Sequence, residues 1–138
     1  MVEAQNILFV CVENAGRSQM AEAFFRKYAP KRFNVISAGT SPSSKLNPLV
    51  VKVMKEIGIE LDKQEPKSLS NDMIEHSFKT INMGCMDNES CPSLFVKEDV
   101  LDWNISDPKE KSIDEVRKIR DQIKIEVMNL IDSLKEDD

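Results

Sequence analysis

The chain is short of several things, and each shortage narrows what it can be. In 138 residues there is no apolar run long enough to span a bilayer, and no basic segment followed by an apolar stretch at the start, so a cytoplasmic protein is expected. There is no basic surplus either. Lys and Arg number 19 against 24 Asp and Glu, giving a net charge of -5 and a pI near 5.0, which argues against nucleic acid or an anionic membrane as partner. Any anion must then be held by a local arrangement of donors rather than by the overall field. Cysteine is scarce and odd in number, three in all, so a fully paired disulfide framework is excluded and at least one thiol is free. In a reducing compartment such thiols are reactive or metal-binding. Internal repeats and low-complexity tracts are absent, and the length fits a single domain over residues 1–138.

What is present is alternation. The run Asn6 to Val12, "NILFVCV", is continuously apolar in its second half, as a strand covered on both faces should be. Met20, Ala21, Phe24, Phe25 and Tyr28 then recur at helical spacing and stop before Pro30. Asn34 to Gly39 reads as a short strand. Asn47 and Pro48 form a cap and first-turn pair for a helix whose apolar face is Val50, Val53, Met54 and Ile57, closed by Gly58. Phe78 to Gly84 and Val100 to Ile105 read as a third and fourth strand. From Ser112 a long helix begins with a capping box to Glu115 and carries the stripe Ile113, Val116, Ile119, Ile123, Val127, Leu130 and Leu134, which should pack on the sheet. Strands separated by amphipathic helices imply an α/β fold with right-handed crossovers, a parallel sheet and helices on both faces. Ligands of such sheets bind beyond the carboxyl ends of the strands, where Cys11, Gly84 with Cys85, and Asp107 are all expected.

The sharpest motif is Cys11, five residues, then Arg17 and Ser18, placed between the first strand and the first helix. A loop folded over a helix N-terminus turns backbone N–H groups inward and makes a nest for a tetrahedral anion. Val12, Glu13, Asn14, Ala15, Gly16, Arg17 and Ser18 are thus the candidate substrate-binding residues. Gly16 supplies backbone freedom, Arg17 a planar fork that can hold two oxygens, Ser18 a hydrogen bond to the sulfur, and the Asn14 amide support for the loop. The same positive field favours the thiolate of Cys11, the nucleophilic form. A chance match to this pattern in such a chain is expected on the order of one per cent of the time. Glu13 departs from an ideal anion loop: pointing inward, its carboxylate would repel substrate, so it is expected to face solvent.

With those residues in view, the sequence resembles the low-molecular-weight phosphatase superfamily and, within it, the thioredoxin-coupled arsenate reductases. The resemblance rests on "FVCVENAGRSQMAEA", "SAGT" from Ser37, "NMGC" from Asn82, the Cys91–Pro92 pair and "SDP" from Ser106. It implies a single three-layer domain with a four-stranded parallel sheet in the order 2-1-3-4. It also implies a relay in which Cys11 attacks arsenic, Cys85 attacks the Cys11 sulfur and releases arsenite, and Cys91 resolves to a Cys85–Cys91 disulfide that thioredoxin or a similar thiol reduces. Asp107, held before Pro108, corresponds to the superfamily's general acid. Family phosphatases acting on phosphotyrosine usually carry tyrosines just after this dipeptide. Here the residues are "KEKS", which favours a small inorganic anion such as arsenate or phosphate.

Other readings stay open at this level. Cys85 and Cys91 lie five residues apart on one loop, close enough to pair, yet they suit inert loop thiols too. His76 with the three cysteines would make up a zinc set, although His76 alone reads as a surface or capping residue. Trp103 is expected to pack beneath the Asp107 loop. No organic cofactor is implied, a monovalent cation near Asn14 is the one inorganic aid to look for, and a monomer is expected. The plainest rival to the reductase is a phosphatase using Cys11, Arg17 and Asp107 without either relay thiol.

Overall fold

In the computed structural model, which describes residues 5–83 and 100–136, the elements run β1 (Gln5–Cys11), α1 (Arg17–Tyr28), β2 (Phe33–Gly39), α2 (Pro48–Glu56), α3 (Asn71–Glu75), β3 (Lys79–Asn82), β4 (Val100–Asp102) and α4 (Ile113–Glu136). Gly84, Cys85 and Cys91 lie outside the described residues. The four strands form one parallel sheet in the order β2-β1-β3-β4, as expected. β1 is central, and Ile7 to Val10 are fully buried because both faces are covered.

The strand period of two divides β1 between two cores. Ile7, Phe9 and Cys11 face a large cluster with Met20, Phe24 and Phe25 of α1, Val50, Val53 and Met54 of α2, and Val116 to Leu134 of α4. Leu8 and Val10 face a smaller cluster with Ala38 and Ile74, edged by Leu69 and Met73. The α4 stripe packs as its spacing predicts, beginning at a Ser112–Glu115 capping box whose Glu115 N–H donates to Ser112 Oγ at 3.2 Å. Trp103 packs against Phe9, ring centroids 5.7 Å apart.

Three expectations change at their edges. α2 ends at Glu56, and Ile57 is 39% exposed rather than in the apolar face. The cause is Gly58 at φ +82, which turns the chain so that the Gly58 and Ile59 N–H groups close on Lys55 and Met54 and Ile59 and Leu61 enter the core instead. β3 starts at Lys79, leaving Phe78 exposed. β4 stops at Asp102 because the Trp103 N–H makes the last ladder bond, to Asn82 O at 3.0 Å, and Ile105 N–H then folds back on Trp103 O. The short α3, absent from the sequence reading, is capped by Ser70, whose hydroxyl accepts from Met73 N–H at 3.2 Å, with His76 at its C-terminal cap.

Candidate active site

At the end of β1 the chain must turn from a buried strand into α1, and the turn is made against β2 and the residues after it. Thr40 N–H donates to Cys11 O, Ser41 N–H to Val12 O, Ser43 N–H to Glu13 O, Asn47 N–H to Ala15 O, Met20 N–H to Gly16 O, and Gln19 Nε2 to Asn14 O. Every carbonyl from Cys11 to Gly16 is thus bound by an outside partner. Because each peptide unit is planar and trans, a carbonyl held outward sends the following N–H the opposite way. The amides of residues 12 to 17 therefore line the concave side, and one of them, Asn14 N–H, reaches Cys11 Sγ at 3.2 Å. No side chain caps the first turn of α1, so its dipole adds to the same concavity.

The conformations this requires are distributed differently from expectation. Asn14, not Gly16, is the left-handed residue of the loop, at φ 51, a region asparagine tolerates. Gly16 is needed for room, since a Cβ there would lie 2.7 Å from Pro108 Cγ. Gly39 is needed for the same reason, its would-be Cβ lying 2.5 Å from Val12 O and 2.9 Å from Asn14 N, which accounts for the glycine in "SAGT".

The Asn14 side chain orients the nucleophile. Lys67 N–H donates to Asn14 Oδ1 at 2.8 Å, and since a backbone amide can only donate, the atom it meets is the carbonyl oxygen. Gln19 Nε2 donates to the same oxygen at 3.0 Å. The Asn14 Nδ2 is left to donate to Ser18 Oγ at 2.7 Å, which leaves the serine proton for Cys11 Sγ, 2.8 Å away. Cys11 Sγ thus receives two donors, Ser18 Oγ and Asn14 N–H. Cys11 itself is 3% exposed. Gln19, which the sequence reading passed over, is fully buried and clamps this array, its Oε1 accepting from Gln64 Nε2 at 2.6 Å. Its signal in the sequence is only its place directly after Ser18, beside the apolar stripe of α1.

Arg17 and Asp107 close the far wall. Arg17 Nη1 donates to Ile105 O at 3.0 Å and Nη2 lies 3.6 Å from Asp107 Oδ2, so the carbonyl after β4 aims the guanidinium. Asp107 is half exposed, and its Oδ1 accepts from Lys109 N–H at 2.9 Å in a turn that Pro108 stiffens. Lys109 Nζ reaches back across to Glu13 Oε1 at 2.9 Å. Glu13 therefore sits at the rim, partly exposed and matched by an ammonium, which in turn holds the Lys109 amine above its usual range through that hydrogen bond. Cys11, Ala15, Gly16, Arg17, Asp107 and Lys109 are among the residues lining a cleft of only about 30 Å³, while the larger grooves of about 750 and 920 Å³ beside β2 contain neither the thiol nor the guanidinium. The thiol and the guanidinium thus meet in a narrow cleft and not in a large groove.

Metal chemistry finds little support in these side chains. His76 lies at the other end of β1, where Asn6 Nδ2 donates to its carbonyl, five residues from Cys11 and so about 16 Å away at roughly 3.3 Å per residue. A zinc set joining His76 to Cys11 is therefore excluded. Among the described residues no group of three or more His, Cys, Asp or Glu is placed to hold a metal ion. Near Asn14, Oδ1 already accepts two hydrogen bonds. The buried Glu22 carboxylate, reached through Lys67, is matched by Ser37 Oγ at 2.8 Å, Arg26 at 3.0 Å and Lys67 Nζ at 3.7 Å, so the donors present do not fit a monovalent cation.

The family model described as low molecular weight phosphotyrosine protein phosphatase matches residues 6–138. An arsenate reductase of Staphylococcus aureus is 33% identical over 126 residues, covering 91% of this chain and 95% of that one. Among solved structures, a thioredoxin-dependent arsenate reductase of Corynebacterium glutamicum superposes with a TM-score of 0.82 at 34% identity, covering 99% of this chain but 64% of that longer one. An arginine phosphatase of Geobacillus stearothermophilus superposes with a TM-score of 0.85 at 26% identity, covering 96% and 94%. Among the described residues no helix is long and apolar enough to cross a membrane.

Proposed function

The chain belongs to the low molecular weight phosphotyrosine protein phosphatase family, and from that premise we propose that it is an arsenate reductase driven by a three-cysteine relay. The observation that carries the reading is the loop from Cys11 to Arg17, with its carbonyls bound outward and its sulfur held by Ser18 and Asn14, facing a narrow cleft that Arg17 and Asp107 also line. The named relatives support the choice of arsenate over a phosphate ester.

The chemistry runs as follows. Arsenate settles in the loop against the inward amides and the Arg17 fork, and the Cys11 thiolate attacks arsenic(V). Asp107 gives a proton to the departing oxygen, which leaves as water and a Cys11–arsenic(V) bond remains. The Cys85 thiolate then attacks the Cys11 sulfur. The sulfur–arsenic electron pair passes to arsenic, arsenite leaves as arsenic(III), and a Cys11–Cys85 disulfide is formed. Attack of Cys91 on Cys85 returns Cys11 to its thiolate and leaves a Cys85–Cys91 disulfide, which a dithiol such as thioredoxin reduces. Reduced thiols of this kind belong in the cytoplasm. We further propose that the chain acts as a single domain and as a monomer.

A second reading, phosphate-ester hydrolysis through a cysteinyl-phosphate at the same Cys11, Arg17 and Asp107, is favoured by the likeness to the Geobacillus phosphatase. One experiment separates the two. Arsenate is supplied with thioredoxin, its reductase and NADPH, and NADPH loss is followed beside hydrolysis of an aryl phosphate, for the wild type and Cys85→Ser. The reductase reading expects Cys85→Ser to abolish NADPH loss and largely spare hydrolysis. Equal loss of both, or of neither, sinks the relay.

A further inference from the structure

The rim of the cleft carries an ion pair that neither the thiol chemistry nor the relay uses. Glu13 stands on the anion loop, Lys109 on the loop that presents Asp107, and the two side chains meet at 2.9 Å. Both line the small cleft that Cys11 and Arg17 also line. A carboxylate at that place should repel a dianion, and an ammonium beside it cancels the repulsion. The pair also crosses from one wall to the other, and the Lys109 N–H ties the same residue to Asp107 Oδ1.

We propose that Glu13 and Lys109 form a latch over the cleft that selects small tetrahedral oxyanions over bulky phosphate monoesters. Closed, the latch leaves room for an anion whose fourth substituent is an oxygen. A substituent as large as an aryl group must displace the bridge, uncovering the Glu13 carboxylate beside its own phosphate. The charge of the pair and its span therefore act together: either alone would weaken discrimination, and both are needed to explain an acidic residue inside an anion loop. This inference rests on the oxyanion reading of the cleft but not on the relay thiols.

The test measures protection of Cys11 from iodoacetamide by inorganic phosphate and by phenylphosphonate, each titrated to half-protection, in chains carrying Cys85→Ser and Cys91→Ser. Absence of protection by either ligand before any rim change overturns the oxyanion reading itself. Given protection, phosphate should act at lower concentration than phenylphosphonate. Lys109→Ala should weaken both ligands, because Glu13 is left uncovered. The double change Glu13→Gln with Lys109→Ala should restore phosphate and lower the preference for phosphate by about fivefold, the scale an exposed ion pair supports. Lys109→Arg should keep the preference, since it can still span to Glu13. A merely structural pair would shift thermal stability while leaving the preference untouched, and that result, or equal weakening of both ligands in the double variant, overturns the latch.

Discussion

Replacing Gly16 by alanine probes the closest approach in the site. The added methyl would lie 2.7 Å from Pro108 Cγ, 3.5 Å from Pro108 Cδ and 3.6 Å from Val50 Cγ2. Only the first is a clash. Ordinary contact begins at 3.4 Å, so the proline ring must retreat by at least 0.7 Å, the difference of 3.4 and 2.7. A pyrrolidine ring has no rotamer to escape into, so the move falls on the backbone of Pro108 and the half-exposed Asp107 and not on the start of α1, which is buried from Ser18 on. Overpacking of this kind costs about 1–3 kcal/mol. For a domain of this length that lowers the midpoint of thermal unfolding by roughly 3–12 °C. Asp107 Oδ2 already stands 3.6 Å from Arg17 Nη2 and would drift further from the reacting anion. Displacing a catalytic group by about 1 Å costs up to ~100-fold in rate. Gly16→Ala should therefore reduce turnover of arsenate and of an aryl phosphate by roughly 10- to 100-fold, while half-protection of Cys11 by phosphate moves by less than about threefold, because the loop amides stay in place. Steady-state kinetics, alkylation and thermal unfolding on one preparation give all three numbers. A variant that melts lower yet turns over as the wild type would refute the claim that the Pro108 contact positions Asp107.

Two further outcomes follow from contacts outside the cleft. Gln19→Leu keeps the volume but removes the donor to Asn14 O and Oδ1. It should cost about 1–3 kcal/mol for the polar atoms left unmet, and slow alkylation of Cys11 at pH 7 by about tenfold as the Ser18 proton loses its fixed direction. The second concerns Glu56, whose carboxyl is held below its ordinary value of 4.5 first by the hydrogen bond from Arg117, with Arg120 adding to it. A lowered folded value means that its stabilising effect is present above about pH 4.5 and is lost as pH falls through the folded value, so the deficit of Glu56→Gln in thermal unfolding should be clear at pH 7 and close progressively below pH 4.5. A deficit independent of pH would contradict the ion-pair account.

The elements that could be read from the chain are those fixed by their own residues. β1, α1 and α4 declare themselves because a continuous apolar run and two helical stripes each demand burial, and all three are found in the main core. The loop proposed to hold an oxyanion is legible because cysteine, arginine and serine sit at one short spacing between strand and helix. What the pattern did not reveal depends on residues far apart. The loop amides face inward because Thr40, Ser41, Ser43 and Asn47 pull the carbonyls away, and the Asn14 amide is oriented by Lys67, 53 residues on. Lys109 meets Glu13 across 96 residues, so the first lysine of "KEKS" carries no sign of its place at the rim. The short strands β3 and β4 were overextended, since their ends are set by where partner carbonyls stop and not by their own composition.

The central claim of the proposed function is that Cys11, whose sulfur receives Asn14 N–H and Ser18, is the nucleophile of an oxyanion site that Arg17 also lines. With Cys85 and Cys91 both changed to serine, Cys11 is the sole thiol, and its rate of alkylation by iodoacetamide at pH 6 can be read by mass spectrometry with and without phosphate. The account predicts modification well faster than that of free glutathione under the same conditions, and suppression of it by millimolar phosphate or arsenate. A rate no greater than that of glutathione, unaffected by either anion, would contradict it.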